Sequence, residues 1–124
     1  MDLTIEKSSD HPLIDGFRSG VVSIQGSLVR ESFLLLPGAA PTPWAISSPE
    51  ELTATAVREL FRKEWDVLLI GTGSRMFLPD STLLQAIAEG GRSIDFMTSR
   101  VACSTYNVLA MDDRAVAAAV ILPI

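Results

Sequence analysis

Trp65-Asp66-Val67-Leu68-Leu69-Ile70-Gly71-Thr72-Gly73 decides the fold. Val67 to Ile70 place apolar side chains on both faces of a pleat, which is stable only in a sheet covered on both sides, the usual situation in α/β proteins. The stretch is read as a central buried strand. Gly71 and Gly73 release the chain at its carboxyl end, where ligands gather in open α/β sheets, so Gly71 to Pro79 is the first place to look for function.

Upstream, Ser48-Pro49-Glu50-Glu51 combines a capping hydroxyl, a proline at the first helical position and a glutamate three residues after the cap. It is read as a capping box that opens a helix with a buried stripe of Leu52, Ala56, Val57, Leu60 and Phe61. Trp44-Ala45-Ile46 is a strand fragment. Val21 to Ile24 and Leu28 to Leu36 are rich in β-formers, and Gln25-Gly26-Ser27 turns them into an N-terminal β-hairpin. Its long second arm must be paired or covered, since an open apolar edge aggregates. Met1 to Phe17 is a terminal arm that leads into a short strand.

Downstream, Pro79-Asp80-Ser81 starts a second helix that faces Leu83, Leu84, Ile87 and Ala88 inward and stops at Gly90-Gly91. Ser93 to Thr98 is a strand. Ser99 caps a third helix to Met111, with Ala102, Cys103, Tyr106, Leu109 and Ala110 on one side. Ala115 to Leu122 closes the chain as a buried strand in the sheet of Trp65 to Ile70 and Ile94 to Met97.

The 124 residues fit a single domain, 1–124, and 48% hydrophobic content is enough for a core without metal or disulfide staples. Cys103 is the only cysteine, which excludes an intrachain disulfide and a cysteine-rich zinc site. The net charge of −5 and scattered Lys and Arg argue against a nucleic-acid binder. The start lacks a signal-peptide pattern, and Ala115 to Leu122 is too short to cross a bilayer, so the expectation is a cytoplasmic protein without membrane insertion.

Gly71-Thr72-Gly73 matches the opening of a dinucleotide fingerprint, but its third glycine position holds Met76 and the helix begins only near Asp80. A tight strand exit is the better reading. Arg75 in this loop is suited either to an anion or a carboxylate, or to solvent. His11 lies in the arm, away from any partner for a catalytic triad, and a zinc site lacks soft ligands. Cys103 is a small buried hydrophobe and is expected to be inert. Asp112 and Asp113 are turn residues. Tyr106 and Asn107, polar within an apolar helix, must reach solvent or find partners.

Met97-Thr98-Ser99-Arg100-Val101-Ala102-Cys103-Ser104-Thr105-Tyr106-Asn107-Val108-Leu109, followed by Asp113 to Ala119, closely resembles the Mth938-like family, also catalogued as DUF498. Leu69 to Gly73 is similar to that family's central strand and loop, and Leu34-Leu35-Leu36-Pro37 with Trp44 to its N-terminal half. The resemblance implies a three-layer α/β fold with a mixed central sheet and helices on both faces. It also implies relatives that include a mitochondrial assembly factor for respiratory complex I, and it brings no established catalytic residues. Arg100 departs from the small or glycine residue common there in the family, a change expected to fill or recharge the helix entrance.

The expected function is a non-enzymatic binding, assembly or accessory factor with a protein partner and no cofactor. The rival is an enzyme or sensor for a small anionic ligand. Either would use the cleft between Gly71, Thr72, Gly73 and Arg75 and the helix start at Ser99 and Arg100, with Tyr106 and Asn107 as further candidate contacts.

Overall fold

The structure is a computed structural model that describes residues 12–18 and 20–123. His11 and the first part of the terminal arm lie outside the described residues. In chain order the elements are β1 (Ile14–Arg18), β2 (Val21–Ile24), β3 (Ser27–Val29), β4 (Phe33–Leu35), β5 (Thr42–Pro43), a 3-10 turn (Pro49–Glu51) and α1 (Ala54–Phe61). They continue with β6 (Val67–Gly71), α2 (Ser81–Gly90), β7 (Ser93–Met97), α3 (Ser99–Met111) and β8 (Val116–Val120).

β6 lies between two parallel neighbours, β7 and β8, in a five-stranded sheet of order β5-β4-β8-β6-β7. β4 joins β8 antiparallel, so the sheet is mixed. Side-chain alternation divides the core into two. Phe33, Leu35, Leu69, Val116, Ala118 and Val120 pack with Ala102, Cys103 and Tyr106 of α3 and with Ile14, Val22 and Ile24 of a smaller antiparallel sheet, β1-β2-β3. Leu34, Leu68, Ile70, Ala117 and Ala119 pack with Val57 and Leu60 of α1 and Leu83 and Ala86 of α2. The result is the expected three layers, with helices on both faces.

The hairpin turns on Gln25 and Gly26, both at positive φ (50° and 83°), with Ile24 opposite Ser27. Two left-handed residues in a two-residue loop match the right-handed twist of the strands. The second arm, however, is not one strand. It breaks at Arg30-Glu31-Ser32, where polar residues interrupt the apolar pattern, and the chain passes from the small sheet into the central one. Phe33 and Leu34 are then paired on both sides, by β5 and β8, and Leu35 by β8, which covers the apolar edge.

Four other expectations are corrected. The strand fragment is Thr42–Pro43 rather than Trp44-Ala45-Ile46, because only the former reaches the edge of β4. The capping box does not form at Ser48: Glu51 Oε1 accepts from the Ser47 N–H at 2.7 Å, and Ser48 makes no side-chain cap. Leaving Leu52 extended buries it in the core, so a 3-10 turn ends there and Thr53 Oγ1 caps α1 from the Ala56 N–H at 3.2 Å. On α2 the buried positions are Leu83 and Ala86, while Leu84 and Ala88 are exposed. The phase follows from Gly90, whose added Cβ would lie 2.2 Å from the Phe61 ring; the positions seven and four residues before it share its face. Finally, Thr98 rather than Ser99 caps α3, accepting from Val101 N–H at 3.5 Å.

Candidate functional site

At the carboxyl end of β6 the loop and α3 are joined by one hydroxyl. Ser99 is fully buried; its Oγ accepts from the Gly73 N–H at 2.8 Å and donates to the Ile121 carbonyl at 2.7 Å. The Ser99 N–H donates back to the Gly73 carbonyl at 2.9 Å. Gly71 permits this contact, since a Cβ there would lie 2.8 Å from Ser99 Cα and 2.9 Å from its Oγ. Gly73 supports it from a positive φ of 91°. Thr72 is buried beside them, its hydroxyl 2.7 Å from the Arg75 carbonyl and 3.1 Å from that of Met97. This arrangement seals the strand exit and leaves the outer loop to solvent.

The outer loop borders a cavity of about 330 Å³. Thr72 to Phe77 form one wall, Ser47 to Glu50 another, and Ile121 and Pro123 a third. The Arg75 side chain is exposed there and has no hydrogen bond or ion pair among the described residues. Met76 and Leu78, 64% and 83% exposed, flank the same loop.

The structure thus brings together Gly71, Thr72, Gly73, Arg75 and Ser99. The other three sequence candidates stand apart from the cavity wall. Arg100 lies with its guanidinium 4.4 Å from the centre of the Phe17 ring, a cation–π contact with β1. Tyr106 is buried, and its hydroxyl donates to the Pro12 carbonyl at 2.7 Å. Asn107 Oδ1 accepts from the Ile14 N–H at 2.9 Å while Nδ2 donates to the Ile14 carbonyl at 2.7 Å. The pair therefore straps the N-terminal strand to α3. Burial pushes the Tyr106 hydroxyl up to about 12, and does the same to the Cys103 thiol, which leaves that sulfur protonated at neutral pH.

Sequence reasoning missed several residues that shape this end of the molecule. Ser48 and Glu50 read as a helix start, and Ser47 before them carries no signal, yet all three wall the cavity. Ser32 is buried and its Oγ accepts from the Leu122 N–H at 3.0 Å, tying down the tail behind the cavity; as the last of three polar residues before an apolar run it gave no distinct signal. Arg92 gave none. Its guanidinium donates to the carbonyls of Phe61, Lys63 and Trp65 and stacks on the Trp65 ring, 4.0 Å from its centre.

A mixed sheet between a pair of helices and a layer of one helix with a small antiparallel sheet, its strand exit sealed by a buried serine, defines a three-layer α/β protein of the Mth938-like kind. The chain belongs to the family described as "Protein of unknown function (DUF498/DUF598)", which matches residues 14–121. It is similar to the "13 kDa major membrane protein" of Francisella tularensis subsp. holarctica, 43% identical over 56 residues, which are 45% of this chain and 46% of that one. It is also similar to the human "NADH dehydrogenase [ubiquinone] 1 alpha subcomplex assembly factor 3", 29% identical over 112 residues, covering 89% of this chain and 60% of the human one. The match spans less than two thirds of either relative. The solution structure of a Bordetella pertussis Mth938-like domain shares the fold, with a TM-score of 0.79 at 20% identity over 99% of this chain and 92% of that one. Among the described residues no helix is long and apolar enough to cross a membrane.

Proposed function

We propose that this chain is a non-enzymatic accessory or assembly factor of the cytoplasm that engages a protein partner through the Gly71 to Leu78 loop and the adjoining cavity. The observation that carries the reading is the exposure of Met76 and Leu78 just after Arg75, whose side chain has no partner among the described residues. Apolar side chains around an arginine are the composition of an interface centre rather than of an ordinary loop. The likeness to an assembly factor supports it. So does the internal use of the Ser99 and Thr72 hydroxyls, which leaves the exposed Ser74, Arg75, Met76 and Leu78 to face solvent.

Co-purification from the native host, repeated with Met76→Glu and Leu78→Glu, tests the reading. A partner held by the unaltered chain and released by either variant is the expected result. A second reading, a small anionic ligand in the cavity, is favoured by the Arg75 guanidinium, exposed and without a partner among the described residues. Thermal stabilisation by a dicarboxylate or phosphate, lost in Arg75→Ala and accompanied by no partner, would replace the first reading with the second.

A further inference from the structure

The β1-β2-β3 sheet turns one face to the core and the other to a second groove of about 710 Å³. Strand register organises that outer face in two rows. Gly16 pairs with Ser23, which pairs with Leu28. Arg18 pairs with Val21, and Arg30 follows Val29, the partner of Val22, so it continues the same row on the far side of Val21. Cross-strand neighbours share a face, so two arginines flank one valine at roughly 10 Å from each other, two strand spacings. Leu28, 61% exposed, stands in the next row.

Among the described residues the charge there is unbalanced. Neither Arg18 nor Arg30 has an ion pair or hydrogen bond to its side chain among the described residues. The one acid lining the groove among the described residues, Asp15, is committed to the hairpin: its Oδ2 accepts from the Gly26 N–H at 2.6 Å and the Ser23 hydroxyl at 3.2 Å. Phe17, whose partner is the buried Val22, turns instead toward the core side of the small sheet, so the cation that Arg100 stacks on it is not part of this face. A cationic, apolar-floored face on a chain of net charge −5 is a local inversion of the protein's field.

We propose that this groove docks an acidic segment of a protein partner, with an aliphatic side chain seated on Val21 and Leu28 and flanking carboxylates paired with Arg18 and Arg30. Long-range repulsion from the acidic chain opposes an extended polyanion such as a nucleic acid or an anionic bilayer. A short segment meets only the local patch, and bidentate guanidinium–carboxylate pairing gives it a fixed register. The surface shares no wall residue with the Arg75 cavity, so it stands or falls independently of the loop interface.

The test is amide chemical-shift mapping with a short peptide of leucine between glutamates, against the same peptide with lysine for glutamate. Shifts at Val21, Ser23 and Leu28 with the acidic peptide only, weakened about tenfold or more in the Arg18→Glu, Arg30→Glu double variant, are expected. Gly16→Val should block the site without disturbing the fold, since an added Cβ there meets nothing within 4 Å. The proposal is overturned by an equal response to the lysine peptide, by binding that survives the double variant, or by no shifts on this face. It is equally overturned if an RNA oligonucleotide or phosphatidylglycerol vesicles occupy the face more tightly than the peptide. Shifts confined to Gly71 to Phe77 would also overturn it while leaving the loop interface intact.

Discussion

Ser99→Ala removes one oxygen and leaves two buried backbone groups without their observed partner, the Gly73 N–H and the Ile121 carbonyl. An unsatisfied buried N–H costs about 1–3 kcal/mol, and the carbonyl, with a second lone pair, costs less, so the expected loss is about 2–3 kcal/mol. For 124 residues the unfolding entropy near the midpoint is about 0.26 kcal/mol/K, so Tm should fall by about 8–12 °C. Urea unfolding should show a lower midpoint at unchanged slope, which marks a loss of native-state stability alone. Hydrogen exchange gives the local readout: the Gly73 amide should lose protection, while the central β6 amides follow only the global change. Ser104→Ala on the exposed side of the same helix is the control and should stay within about 0.5 kcal/mol. A Ser99→Ala chain as stable as that control, with Gly73 still protected, would refute the assignment of Ser99 as the bolt of the strand exit.

Cys103 and Tyr106 both have folded values raised by burial to about 12, from ordinary values of 9.0 and 10.0. The stability they contribute is complete below pH 9, because the unfolded chain starts to release these protons first. It falls as pH rises from about 9 toward about 12, and denaturation across that range should coincide with ionisation of the single tyrosine followed by ultraviolet absorption. At neutral pH, alkylation of Cys103 should be slow until denaturant is added. Arg92→Lys should lower stability by about 2 kcal/mol in urea unfolding, because an ammonium cannot reproduce a planar fork shared by three carbonyls and an indole face. Asn107→Ala should cost about 1–2 kcal/mol and release the Ile14 amide to exchange; retained protection at Ile14 would show that β1 is held by its sheet neighbours alone.

What the sequence by itself determined about this protein is local or repetitive. The uninterrupted apolar run of β6 requires cover on both faces, Gln25-Gly26 supplies the left-handed pair of a tight hairpin, and Gly91 ends α2 at a φ of 77°. The buried tail strand was legible in the same way, from valines and isoleucine bounded by a turn and a proline. Of the candidate site, Gly71 to Arg75 and the approach of Ser99 were legible because both follow parallel strands directly. Tertiary structure alone decided the rest. It divided Leu28 to Leu36 between two sheets, gave Tyr106 and Asn107 partners 94 and 93 residues away, and built the cavity walls from Ser47 to Glu50 and Pro123. A polar side chain in an apolar helix announces that it needs a partner, but its chemistry is the same for any carbonyl. Which carbonyl it finds is decided only when distant segments pack against each other.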